Sequence, residues 1–196
     1  MTRPAIYLAS GSPRRRELLT QIGVPFDRIS SEVDETPRPD EGAHAYVARL
    51  AAEKAAAGIA RMRADSLAPR LVLAADTTVA LDDHILGKPV DDAEARTMLR
   101  RLSGRTHEVL TGVAISDGAR TEVATSTSVV TFRELADAEI AAYVASGEPM
   151  DKAGAYGAQG LGAVLIANLS GSFSGVVGLP LTETMQLLQR FGYPFW

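Results

Sequence analysis

The run Leu71-Val72-Leu73-Ala74-Ala75 is apolar at every position, so neither side of an extended chain through it suits water. A strand of this kind is buried on both faces, as in a sheet covered by helices. Residues 6–9 and 26–30 read as two more strands, and between them a helix over 13–22 is stopped by Gly23 and Pro25. Residues 43–63 hold the longest helical pattern, alanine-rich with Lys54 in its interior. A hairpin is predicted over 79–81 and 85–86, turning at Asp82-Asp83, and then a helix over 92–102 closed by Gly104. The β-branched stretches 109–115 and 121–132 are expected to pair. Asp137 is expected to cap a helix ending at Gly147, 164–168 to form a strand, and 182–191 a last helix after Pro180. Strands and helices alternate around an antiparallel insertion, which predicts an α/β fold with a mixed sheet.

With 196 residues, 46% of them hydrophobic, the chain fits one large domain or two lobes sharing a sheet. Its formal net charge of −4 argues against non-specific binding to nucleic acid or to a membrane surface. There is no cysteine, so thiolate nucleophiles and thiolate metal sites are excluded, and His44, His84 and His107 lack ligand spacing. No apolar stretch reaches signal-peptide or membrane-span length, and a cytoplasmic protein is expected. Basic residues are skewed: of 20, only Lys54, Lys88 and Lys152 are lysine. A lysine kept in such a chain suggests work that needs a compact point charge.

Several segments carry chemistry. In Ser10-Gly11-Ser12-Pro13-Arg14-Arg15 an apolar strand ends in two hydroxyls, and a helix opens on proline with Ser12 placed to cap it. Backbone donors, hydroxyls and arginines converging on one helix start suit a phosphate. Asp76 closes the apolar run and is followed by Thr77-Thr78; at the carboxyl end of a buried strand it would ligate magnesium or accept a proton from water. Glu32, Asp34 and Glu35 form an acidic loop suited to a hard cation. Gly87-Lys88-Pro89 sets a lysine in a rigid turn. The glycines of residues 154–162 surround Gln159 out of dinucleotide-motif order, and their predicted use is close approach of backbone to a flat base. Gly171-Ser172-Phe173-Ser174-Gly175, ahead of Gly178-Leu179-Pro180, repeats the strand, serine turn and helix theme. A Walker motif is absent, so an ordinary P-loop ATPase is excluded.

Taken in order, Ser10 to Leu19, Ala75-Asp76-Thr77, Gly87-Lys88-Pro89 and Gly171 to Pro180 resemble the Maf family of nucleoside triphosphate pyrophosphatases. Asp151-Lys152-Ala153-Gly154-Ala155-Tyr156 with Gln159 is similar to the branch acting on dTTP and UTP rather than on 7-methyl-GTP. The resemblance implies a curved mixed β-sheet with flanking helices, two lobes around a cleft in one Maf/ITPase-like domain over residues 1–196, a homodimer, and a divalent cation, Mg2+ or Mn2+. It casts Asp76 as proton acceptor and metal ligand and Glu35 as the second metal ligand, with Asp34 beside it as the alternative. Ser10, Ser12, Arg14, Arg15, Lys54 and Lys88 would line the phosphate site, and Arg14, Thr77 and Gln159 would set substrate choice. The competing class is a regulatory nucleotide-binding protein that inhibits septum formation with little catalysis; a full set of acid, lysines and hydroxyls disfavours it.

Overall fold

The computed structural model describes residues 3–82 and 84–196, so part of the predicted Asp82-Asp83 turn, Asp83, lies outside the described residues. Seven strands form one mixed sheet: β1 (Ile6–Leu8), β2 (Phe26–Arg28), β3 (Val72–Leu81), β4 (His84–Leu86), β5 (Thr106–Ser116), β6 (Thr121–Phe132) and β7 (Ile166–Ser170). Their order is β2-β1-β3-β5-β6-β7, parallel between β2, β1 and β3 and antiparallel beyond.

The third strand decides where a ligand can enter. One edge of β3 pairs with β5 continuously from Val72 to Ala80. The opposite edge pairs with β1 only at Val72 and Leu73, and with β4 only from Val79 to Leu81. Between these partners the sheet opens beside residues 74–78, with Asp76 at the centre of the gap. Asp76 therefore does not end a strand, as its neighbours suggested. Thr77 and Thr78 are β-branched and keep the chain extended, so the apolar run and the first hairpin arm fuse into one ten-residue strand.

Helices cover both faces. The long helix α2 (Ala43–Ala64) lies on one, where Ala51, Ala55, Ile59 and Met62 pack on Tyr7, Val72, Ala74 and Ala114. Helix α1 (Pro13–Gln21) and the C-terminal α6 (Leu181–Arg190) cover the other, over Ile6, Leu8, Leu73, Ala75, Val113 and Ile115. Alternation along β3 thus sends Ala74 and Asp76 toward α2, and Ala75 and Thr77 toward α1. A second core joins α3 (Asp92–Leu102) and α4 (Asp137–Ala145) to the far ends of β3, β5 and β6.

Several boundaries differ from expectation; β2 stops at Arg28 rather than at residue 30, and β5 starts at Thr106 rather than at residue 109. Asp137 is the first residue of α4 rather than its cap, and Glu139 accepts from the Ala136 N–H instead. The expected strand at 164–168 begins at Ile166, because Gly160–Leu165 coil into a 3-10 turn. A five-residue helix, α5 (Phe173–Val177), was not anticipated; Ser172 caps it by accepting from the Gly175 N–H.

Candidate active site

A cleft of about 420 Å³ opens at the gap beside β3. Ser10, Ser12, Arg14, Arg15, Glu35, Lys54, Asp76, Thr77, Lys88 and Gln159 all line it, whereas Glu32, Asp34, Ser172 and Ser174, also singled out from the sequence, do not. Asp151 and Lys152 line it as well, which brings all three lysines of the chain to one place. Five cationic side chains face three acidic ones here, although the chain as a whole is negative. Such a local excess of positive charge suits an anion.

The turn from β1 into α1 supplies the first wall. Ser12 occupies the N-cap position but makes no side-chain capping bond. The hydroxyl that organises this turn belongs to Ser10, whose Oγ accepts from the Ser12 N–H at 3.2 Å and from Arg15 Nη1 at 3.0 Å. Arg15 also donates from Nη2 to Thr77 Oγ1 at 3.1 Å and from Nε to the Gly178 carbonyl at 2.7 Å. One guanidinium thus ties α1, β3 and the end of α5 together. Burial lowers the Arg15 pKa from its ordinary value; Asp76 opposes that shift and Arg14 adds to it.

Through the gap, on the opposite face, α2 presents Tyr46, Leu50 and Lys54 in one row, each four residues apart. Lys54 Nζ lies 2.7 Å from Asp76 Oδ1 and 2.5 Å from Glu35 Oε1. The Lys54 and Asp76 side chains are 11% and 10% exposed, whereas Glu35 is 47% exposed at the cleft mouth. Breaking a pair this buried by removing one partner typically costs ~3–5 kcal/mol, because the other charge is left uncompensated. Burial alone would raise the Glu35 carboxyl, but the Lys54 bond and charge, with Lys88 and Arg15, hold it below the usual range. Tyr46 was not foreseen as part of the site. Its hydroxyl donates to the Glu35 carbonyl at 2.8 Å and pins the acidic loop to α2. Burial, reinforced by Asp76 and Glu35, pushes this phenol up to about 12, which keeps it a donor. Its position four and eight residues before Leu50 and Lys54 was the available signal. Asp34 is exposed, and its Oδ1 accepts from the Thr36 N–H at 2.9 Å, so Glu35 is the acid of this loop that reaches the cleft.

Residues 148–162 form the facing wall. Asp151 accepts from Arg14 Nη1 at 3.1 Å and from Lys152 Nζ at 2.6 Å, bridging the two sides. Tyr156 is a largely buried part of this wall, its hydroxyl 2.7 Å from His107 Nε2. Two of the glycines here have close neighbours within the wall itself. A Cβ at Gly160 would stand 2.7 Å from Glu148 Oε2, and one at Gly162 would stand 2.3 Å from the Gly157 carbonyl oxygen.

Among the described residues, no group of three or more His, Cys, Asp or Glu side chains is arranged to hold a metal. The two carboxylates converging on Lys54 nevertheless fit a magnesium-type ion, which commonly takes one or two carboxylates and completes its shell with water and substrate phosphates. Among the described residues, no helix is long and apolar enough to cross a membrane.

A buried acid, an excess of cations and a strand gap joining both faces of the sheet define a site for a phosphorylated small molecule. The family model for Maf-like proteins matches residues 5–191, and the chain belongs to that family. It is 57% identical over 198 aligned residues to the dTTP/UTP pyrophosphatase of Aromatoleum aromaticum, covering 96% of each chain. To the dTTP/UTP pyrophosphatase of Dechloromonas aromatica it is 55% identical, over 96% of this chain and 98% of that protein. The enzyme of the same description from Escherichia coli is 54% identical, over 95% and 93%. Among solved structures, the Staphylococcus aureus Ham1 protein aligns at TM-score 0.49 and 19% identity, covering 83% of this chain and 80% of that one.

Proposed function

We propose that this protein hydrolyses dTTP and UTP to the nucleoside monophosphate and pyrophosphate. The observation that carries the reading is the Asp76–Lys54–Glu35 cluster at the gap in β3, in a chain so close to enzymes of that description. Water attacks the α-phosphorus, the bond from that phosphorus to the bridging oxygen breaks, and Asp76 accepts the proton released by the water. Lys54 Nζ donates to one oxygen of the Asp76 carboxylate and fixes its place in the gap. Arg15 and Lys88, with Ser10 and Ser12 at the start of α1, hold the polyphosphate and the departing pyrophosphate. A divalent cation, Mg2+ or Mn2+, held by Asp76 and Glu35, would supply charge neutralisation at the phosphate oxygens.

Gln159 reads the base. Uracil and thymine present a carbonyl acceptor beside an N–H donor, and one glutamine amide matches both, whereas cytosine reverses the pattern. Arg14 and Thr77 flank that choice, the first through Asp151 and the second through Arg15. Action as a homodimer in the cytoplasm belongs to the same reading; the homodimer rests on the family resemblance. Incubation with UTP tests the reading: UMP and pyrophosphate are expected, and UDP with orthophosphate would sink it.

A further inference from the structure

We propose that Glu148 is a positioning residue for base recognition, its carboxylate holding the loop that carries Gln159 against the cleft. The inference rests on the reading of Gln159 given above. A side chain that selects a base through paired hydrogen bonds must be held to within about half an ångström. Gln159 is exposed and sits in irregular chain, so that precision has to come from its neighbours.

Three donors converge on Glu148. Tyr143 Oη and the Gly162 N–H reach Oε1 at 3.0 and 2.9 Å, and the Leu161 N–H reaches Oε2 at 2.9 Å. Leu161 and Gly162 are the second and third residues of the 3-10 turn that directly follows Gln159, where backbone N–H groups have no partner within the turn. On the other side of Gln159, the Gly157 N–H donates to Tyr143 Oη at 3.3 Å. Both flanks of the base reader therefore hang on the Tyr143–Glu148 pair. The fit is tight: a Cβ at Gly160 would strike the Glu148 carboxylate, and one at Gly162 would come within 2.7 Å of Tyr143 Oη. Burial would raise the Glu148 carboxyl, but the Gly162, Leu161 and Tyr143 bonds and the Lys152 charge outweigh it, so it stays an acceptor on both oxygens.

Glu148→Gln keeps the volume but must turn an NH2 group toward either the Leu161 or the Gly162 N–H, since only one side can present oxygen. Hydrolysis of UTP and CTP would be compared in the wild type and in this variant, with Mg2+ present, alongside inhibition by pyrophosphate and thermal stability. The expected result is a fall of roughly tenfold in kcat/KM for UTP with little change for CTP, the scale of one mismatched polar contact. Pyrophosphate inhibition should stay unchanged, because the phosphate side of the cleft stands on other elements. Tyr143→Phe removes one donor to Glu148 and the acceptor of Gly157; it should shift the UTP to CTP ratio in the same direction, and it carries the test if the first variant does not fold. An unchanged ratio beside a discriminating wild type overturns the inference, as does an equal loss on both nucleotides with a lower Tm. A wild type indifferent between UTP and CTP would remove the base-reading role of Gln159, and the positioning role with it.

Discussion

The two walls of the cleft are built on opposite plans. The wall formed by β1, α1, α2 and β3 stands on regular elements, and charged side chains meet side to side: Lys54 on Asp76 and Glu35, Arg15 on Ser10 and Thr77. The wall over residues 148–162 has almost no regular structure beyond short 3-10 turns, and it is held mainly by side chains gripping backbone N–H groups. The first plan gives fixed charges where charge develops during phosphoryl transfer. The second gives a surface whose shape can differ between relatives at little cost to the sheet, which suits the choice of base.

The sharpest way to break this contrast is to strike the charged wall. Asp76→Asn keeps the shape and an acceptor for Lys54 but removes the charge, so turnover of UTP should fall ~10²–10⁴-fold while the fold persists. Steady-state kinetics with a melting curve checks both halves, and near-native turnover would move the proton acceptor elsewhere. Lys54→Ala should lose stability as well as activity, by ~3–5 kcal/mol in chemical denaturation, because Asp76 stays buried without its partner. A loss confined to activity would mean that the pair is looser than its geometry states.

The second wall has a weak point in acid. Burial pushes the His107 imidazole down to about 4, and its Nε2 meets the Tyr156 hydroxyl behind the cleft. The folded state thus binds this proton less readily than the unfolded chain, whose histidine titrates at the ordinary 6.5. Its contribution is fully present above that value and is lost as pH falls toward about 4, by roughly 3 kcal/mol for a shift of this size. Denaturation midpoints measured across this window should fall, and His107→Phe should flatten the part of the slope that belongs to this residue. A wild-type slope that the substitution leaves intact would assign the acid sensitivity to other groups. Gln159→Ala should cost less, narrowing the UTP to CTP preference by about one to two orders of magnitude in competition assays. Arg61→Ala, whose exposed pair with Asp65 lies outside the cleft, should change stability by no more than ~0.5 kcal/mol and leave kinetics alone.

The contrast also explains what could be read in advance. Regular elements announce themselves by periodicity, so α3 emerged with the boundaries predicted and β6 with its full length. Charged residues marked on such elements line one cleft, and the rarity of lysine pointed to Lys54 and Lys88. The gap in β3 was not legible, because it depends on where two other strands stop pairing, and Asp76 was read as a strand end for that reason. Around Gln159 the glycines suggested close approach of backbone to a base, and they gave no sign that Gly160 and Gly162 also pack against Glu148 and Tyr143. Contacts between backbone and side chain leave no periodic trace in a sequence. Ser12 illustrates the same limit at short range: the residue at the cap position was identified, and the hydroxyl organising the turn is that of Ser10.

Hydrolysis of UTP in isotopically labelled water tests whether the cleft directs water to the α-phosphorus. With Asp76 beside the α-phosphate, the label should appear in UMP, and the pyrophosphate should emerge unlabelled. Label in the pyrophosphate, or UDP and labelled orthophosphate as products, would contradict it.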